Sequence, residues 1–140
     1  MTLTNFLVGL PAMLLCMVIQ AAIAYWCVRY YIRRVSDGGR GGLRPLLVTL
    51  VAMMFGNLLQ IALWGGLFVG LGEFTELYEA IYHSAVNFTS LGYGDIVMSK
   101  AWRLLGPLEA ANGVLMLGMS AAAMMAILQH MIKVQVGERL

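Results

Sequence analysis

The residues of this 140-residue chain best suited to chemistry form one short stretch, Thr89-Ser90-Leu91-Gly92-Tyr93-Gly94-Asp95. Two glycines flank a tyrosine, and an aspartate follows. Glycine adopts left-handed backbone angles without a Cβ penalty. Gly92 and Gly94 can therefore let successive main-chain carbonyls turn towards one axis. Few other groups compete with this stretch. His83 and His130 are far apart and have no cysteine nearby, so no metal-ligand spacing is present. Cys16 and Cys27 would lie about 16 Å apart along a helix. A disulfide needs Cα atoms within about 7 Å, so both read as small apolar packing residues. Glu109 is the only charge in its apolar run. A carboxylate there must be paired, hydrogen-bonded or protonated.

The elements that must position these residues follow from composition. The chain is 61% hydrophobic and 11% charged, with mean hydropathy +0.81. A soluble domain carries about 25% charged residues, so the implied solvent is a lipid bilayer. A net charge of +2 is too small to suggest a nucleic-acid partner. Phe6 to Val28 is uncharged, with Gln20 as its polar member, and a spanning helix needs about 20 such residues. Basic residues follow this run instead of preceding it, which predicts a retained helix rather than a cleaved signal. Pro11 lies near its start, where a missing donor is tolerated. Ser36 to Arg44 reads as a glycine-rich loop. Pro45 to Gly72 is a second span. Its Asn57 and Gln60 lie three apart on one face and should point at protein. The third span runs from about Trp102 to Met131.

Glu73 to Lys100 lies between the second and third spans. Thr75 reads as an N-cap, with Glu76 and Glu79 in the first turn. The helix that follows runs to about Phe88. At roughly 20 Å it is too short for a hydrocarbon core of about 30 Å. It should enter the membrane and turn back, surrounded by protein or a water-filled cavity. Arg29, Arg33, Arg34, Arg40 and Arg44 put the first loop in the cytoplasm. The N-terminus and the re-entrant segment are then outside, and the tail with Lys133 and Arg139 is inside. The expected fold is an all-α membrane protein with three transmembrane helices, a re-entrant helix and a loop. Its segments are an extra N-terminal helix (1–35), a cytoplasmic loop (36–44), the main membrane domain (45–134) and a cytoplasmic tail (135–140).

Gly-Tyr-Gly-Asp alone recurs by chance. The order apolar run, short helix, Thr-Ser-Leu-Gly-Tyr-Gly-Asp and apolar run is far more specific. It resembles the pore module of the potassium-channel family, whose filter typically reads Thr-Thr-Val-Gly-Tyr-Gly-Asp. The resemblance covers roughly Pro45 to His130. It implies that rings of carbonyl oxygens replace the water shell of a permeating potassium ion. Thr89, Ser90, Leu91, Gly92, Tyr93 and Gly94 form the implied ion-binding filter. Ser90, Leu91, Gly92 and Tyr93 would supply the carbonyls, and Ser90 would add a hydroxyl where the family usually has threonine. Leu91 replaces a β-branched residue, which implies looser packing behind the filter. Tyr93 would pack outward against the re-entrant helix.

By the same resemblance Tyr82, His83, Asp95 and Glu109 support the filter. His83 either bonds Tyr93 or Asp95, or is satisfied by nearby backbone. Val86 stands where some bacterial relatives place an acidic partner for the filter aspartate, so that pair should be absent. Glu109 is either an ion ligand or an anchor to the re-entrant helix near Asn87, and anchoring is favoured. Gly113 and Gly118 resemble hinge glycines of the pore-lining helix, after a one-residue deletion before Gly113. Leu117, Ala121 and Met125 follow at helical spacing, either lining the inner cavity or serving ordinary helix packing.

The implied function is passive potassium conduction by a homotetramer in a cell membrane, the inner membrane of a bacterium. K+ is the permeant ion; no cofactor and no enzymatic activity are expected. A weakly selective cation channel and a non-conducting membrane regulatory subunit are the alternatives. No span carries a regular arginine repeat, so no voltage sensor is expected. No nucleotide site or soluble regulatory domain is visible either. Gating then falls to the membrane portion, lipid, ion occupancy, protons or a separate regulatory partner.

Overall fold

The computed structural model describes residues 2–36 and 43–137. Positions 37–42, with most of the expected loop and Arg40, lie outside the described residues, as does the chain end with Arg139. Four helices follow one another: α1 (Thr2–Ser36), α2 (Leu43–Gly70), α3 (Leu77–Phe88) and α4 (Leu105–Gly137). Three are long and apolar enough to cross a membrane, over 2–34, 43–70 and 105–133. The fourth, α3, has 12 residues and is only about 18 Å long. This is the all-α membrane architecture that the sequence predicts.

Boundaries shift where backbone donors decide them. Pro45 sits inside the first turn of α2, where its missing N–H has no helical partner to lose. The start of α4 moves from Trp102 to Leu105. The N–H groups of Trp102 and Leu105 bond three residues back, to Ser99 and Trp102, in tight turns that precede the helix. Thr75 is not the cap of α3. Glu76 takes that place with extended backbone, φ −99° and ψ 123°. Its carbonyl accepts the Ala80 N–H at 3.2 Å, which leaves Glu79 as the only acid in the first turn.

The chain between α2 and α4 returns to the side it left. Glu73 accepts both the N–H and the hydroxyl of Ser99, each at 2.7 Å. That fastens the entry to α3 beside the exit from the loop after it.

Helix α1 runs parallel to α4 and touches α2 as well. Asn5 donates to the Ala101 carbonyl at 2.8 Å at one end. Tyr31 packs with Ile127 and Met131 at the other. Buried positions in α1 include 5, 9, 16, 20, 27 and 31, and in α4 they include 105, 109, 116, 120, 127 and 131. Both sets repeat every eleven residues. That is about 3.67 residues per turn, close to the natural helix period. The two helices can therefore keep the same faces together without strong supercoiling.

Polar residues tie this contact at mid-helix. The Gln60 amide donates to Gln20 Oε1 at 2.7 Å, and the Gln20 amide donates to the Ser120 hydroxyl at 2.7 Å. Asn57 reaches the same hydroxyl at 3.4 Å. Gln20 and Gln60 are fully buried. Asn57 and Gln60 thus face protein, and their partners come from α1 and α4. Cys16 and Cys27 are free and buried, as packing residues should be.

Candidate pore helix and filter loop

The short helix α3 is wedged between α2 and α4 by glycines. A Cβ on Gly113 of α4 would lie 1.8 Å from the Phe88 carbonyl oxygen. A Cβ on Gly65 of α2 would lie 3.1 Å from Ile81 Cα. The last turn of α3 therefore rests directly on the backbone of α4. In place of an unencumbered hinge, the structure finds Gly113 in a close contact. Gly118 has open space around it.

Polar bonds fix the wedge. The Ser84 hydroxyl lies 2.8 Å from the Ile61 carbonyl of α2 and also bonds Glu109 of α4. Asn87 donates to the other Glu109 oxygen at 3.2 Å and meets His83 Nε2 at 3.0 Å. Glu109 is fully buried. Ser84 and Asn87, which bond it, lie three apart on one face of α3. That spacing was the available sign of Ser84's part, which the sequence reading missed. It also missed Asn112, fully buried one turn after Glu109.

The end of α3 sets the start of the loop. Thr89 caps the helix, and its hydroxyl bonds the Ala85 carbonyl at 2.7 Å. The Ser90 N–H bonds the Asn87 carbonyl at 2.8 Å, and the Leu91 N–H bonds the Val86 carbonyl at 2.9 Å. This is a Schellman ending, which needs a left-handed residue just past the cap. Ser90 fills that place with φ +57°, the only non-glycine residue with positive φ among those described. In a trans peptide the carbonyl points opposite to the N–H. With the Ser90 and Leu91 N–H groups turned back to α3, the Thr89 and Ser90 carbonyls turn away from it.

The alternation continues. Gly92 has φ +63° and Gly94 has φ +74°, while Leu91 and Tyr93 are not left-handed. Positive φ at every second residue takes the loop out of regular strand geometry. The loop from Thr89 to Asp95 is exposed throughout the chain. Tyr93 is 67% exposed, so its ring is not packed against α3 of its own chain. Leu91 is likewise exposed.

Beyond the loop, the Tyr82 hydroxyl donates to Asp95 at 2.7 Å. This bond and the neighbouring charge push the Tyr82 phenol up to about 12. The same bond holds the Asp95 carboxyl below its usual range. Tyr82, rather than His83, is thus the bonded partner of Asp95. His83 packs its ring between Phe68 and Phe74, and burial lowers its pKa. Val86 is buried beside this cluster and offers no acid. Leu117, Ala121 and Met125 lie exposed along α4.

The comparisons with known proteins agree with this arrangement. Residues 46–130, spanning α2, α3, the loop and most of α4, match the model of a family described as ion channel. No curated protein and no solved structure matches the chain. The match covers more than half of the sequence, and its bounds nearly coincide with the module bounded by Pro45 and His130. The chain therefore belongs to the ion-channel family, with a potassium-channel-like pore domain preceded by the additional helix α1.

Proposed function

We propose that four copies of this chain assemble around one axis and conduct potassium passively, ahead of sodium. One filter strand cannot enclose an ion, and closed rings are the usual solution for identical chains. The observation that carries the reading is the loop backbone. Left-handed angles at Ser90, Gly92 and Gly94 take the loop out of strand geometry, and the Ser90 and Leu91 N–H groups tied to α3 turn the Thr89 and Ser90 carbonyls away from that helix. The exposed loop is a strand waiting for neighbours. Thr89, Ser90, Leu91, Gly92, Tyr93 and Gly94 would form the filter, with Ser90, Leu91, Gly92 and Tyr93 holding K+. The C-terminal end of α3 carries roughly half a negative charge, and four such ends would favour a cation below the filter. Leu117, Ala121 and Met125, exposed beyond the α3 contact, would line the inner cavity, with Gly118 as the free hinge.

In this reading the filter and the N-terminus face outside. Arg29, Arg33, Arg34, Arg44 and Lys133 gather at the opposite, cytoplasmic end. Ser90 favours a second reading, a weakly selective cation channel, because serine lacks the methyl group that restricts threonine at χ1. Purified protein in potassium-loaded liposomes tests both. Flux with reversal potentials favouring potassium supports the first reading, and equal potassium and sodium permeability supports the second. No flux at all overturns conduction.

A further inference from the structure

The C-terminal part of α1 carries a surface that the pore module does not use. Trp26 stands at the junction of two hollows. One is an apolar groove of about 390 Å3 between α1 and α2, with Ala22, Ile23, Ala52, Phe55 and Trp26 in its walls. The other, of about 330 Å3, is bounded by Tyr25, Trp26, Arg29, Tyr30 and Arg33. The Trp26 and Tyr30 rings stack 5.7 Å apart with 13° between planes. The Arg29 guanidinium lies 5.7 Å from the Tyr25 ring centre and donates to its hydroxyl at 3.0 Å. Aromatic rings beside guanidiniums at the end of an apolar helix are the chemistry of a membrane interface.

Among the described residues, charge at this end is one-sided. Among the described residues the acids are Glu73, Glu76, Glu79, Asp95 and Glu109, all between the end of α2 and the first turns of α4. Arg29, Arg33, Arg34, Arg44 and Lys133 occupy the other end of the helices, with no carboxylate among the described residues there.

We propose that this surface binds an anionic phospholipid. Arg29 and Arg33 hold the phosphate, and one acyl chain lies in the groove against Trp26, Ala22 and Phe55. The change from charged to apolar takes three residues, from Arg29 to Trp26, or about 4.5 Å of helix. A phospholipid makes the same change between phosphate and acyl chain. A soluble anion would leave the groove empty, and a zwitterionic lipid would bring a headgroup cation of its own beside the guanidiniums. Arg29, Arg33 and Trp26 lie on α1, outside the family match of residues 46–130, while Ala52 and Phe55 on the α2 side of the groove lie within it. It does not depend on which ion permeates.

The test uses the full chain in vesicles, with tryptophan fluorescence as the readout. Phosphatidylglycerol or phosphatidylcholine carries bromine on the acyl chains and quenches tryptophans that it touches. The chain has three tryptophans, and subtracting the signal of Trp26→Phe isolates Trp26. Brominated phosphatidylglycerol should compete for Trp26 roughly tenfold better than brominated phosphatidylcholine. Arg29→Gln with Arg33→Gln should abolish that preference, while Arg44→Gln with Lys133→Gln should leave it. Three results would overturn the proposal. They are equal quenching by the two lipids, equal sensitivity to both arginine and control substitutions, and shielding of Trp26 from both lipids by a second copy. The readout needs no conduction, so its failure is separate from any failure of the channel reading.

Discussion

The filter loop and the Gln20–Gln60–Ser120 cluster are both polar, and this apolar chain completes them in opposite ways. The cluster is joined within one chain, although Gln60 Oε1 and Asn57 Oδ1 make no bond there. Its amides and hydroxyl are buried and bonded to each other across α1, α2 and α4. The loop from Thr89 to Asp95 is exposed, and its first three N–H groups bond back to α3. An unsatisfied backbone group in lipid costs several kcal/mol, so the loop demands a cover that one chain does not supply. The difference teaches where each part gets its order. Helix α1 is held by the chain's own fold, and under the proposed tetramer the filter is finished by assembly. Changes in the loop should then abolish conduction while each chain keeps its helices. Changes in the cluster should weaken each chain while selectivity survives.

The largest effect should come from the contact that carries the loop. Gly113→Ala puts a methyl group 1.8 Å from the Phe88 oxygen. Backbone on both sides leaves no side chain to yield. Overpacking costs about 1–3 kcal/mol, and more where the obstacle cannot move. Tetramers should melt well below the parent, and flux should be lost. Gly118→Ala, in open space, is the control and should keep both. Equal melting of the two variants would show that α3 does not rest on Gly113.

Gly92→Ala attacks the loop alone. A left-handed alanine costs about 1–2 kcal/mol, and four copies would add. Potassium flux should fall sharply or vanish while circular dichroism stays unchanged. Normal flux would break the link between left-handed angles and conduction.

Glu109 joins the two regions, since its partners are on α3 and it sits on the buried face of α4. Glu109→Gln can still bond Ser84 and Asn87. Glu109→Leu removes that bond from both, leaving Ser84 with the Ile61 carbonyl and Asn87 with His83, at about 0.5–1.5 kcal/mol for each bond lost. Leucine should lower tetramer melting and filter availability, and glutamine should nearly preserve them. Equal conductance losses with unchanged melting would instead make Glu109 an ion-attracting group.

The cluster should respond more mildly. Membrane hydrogen bonds average about 0.6 kcal/mol, so Gln20→Leu should lower melting by a few degrees and leave the potassium preference alone. A changed permeability ratio would mean that α1 reaches the filter.

These contrasts mark what the sequence could and could not reveal. The three spans and the short helix were legible because uncharged runs and helix length are one-dimensional properties. The loop was legible because Gly92 and Gly94 declare their backbone needs in their residue type. Ser90 did not, since nothing about serine announces a left-handed angle, and only the two bonds back to α3 reveal it. Gly113 looked like a hinge because a glycine in a helix does not say whether it gives freedom or space. Gln20 and Gln60 were visible as polar residues needing partners. That they meet each other is a matter of how α1 lies along α2 and α4. The cap of α3 moved from Thr75 to Glu76 because backbone bonding outweighed side-chain preference there.

The smallest effect concerns the loop's outer end. The Tyr82 hydroxyl holds Asp95 below the usual carboxylate range, because its bond favours the charged form. The sign follows. The contact is present while Asp95 is ionised and Tyr82 is protonated. It is lost as pH falls through the lowered Asp95 value, and again as pH rises through about 12, where Tyr82 loses its proton. Tyr82→Phe removes the donor, so Asp95 should take up a proton at higher pH than in the parent. Both residues lie at an exposed surface, so melting and helix content should not move. Infrared spectra of protein with labelled aspartate carboxyls give the midpoint directly, and Gln20→Leu supplies a control in which Asp95 is untouched. A rise in the midpoint with Tyr82→Phe alone keeps the outer loop electrostatically separate from the mid-membrane cluster. An unchanged midpoint would remove Tyr82 as the partner of Asp95, and a rise in both variants would mean that α1 and the filter loop act as one unit.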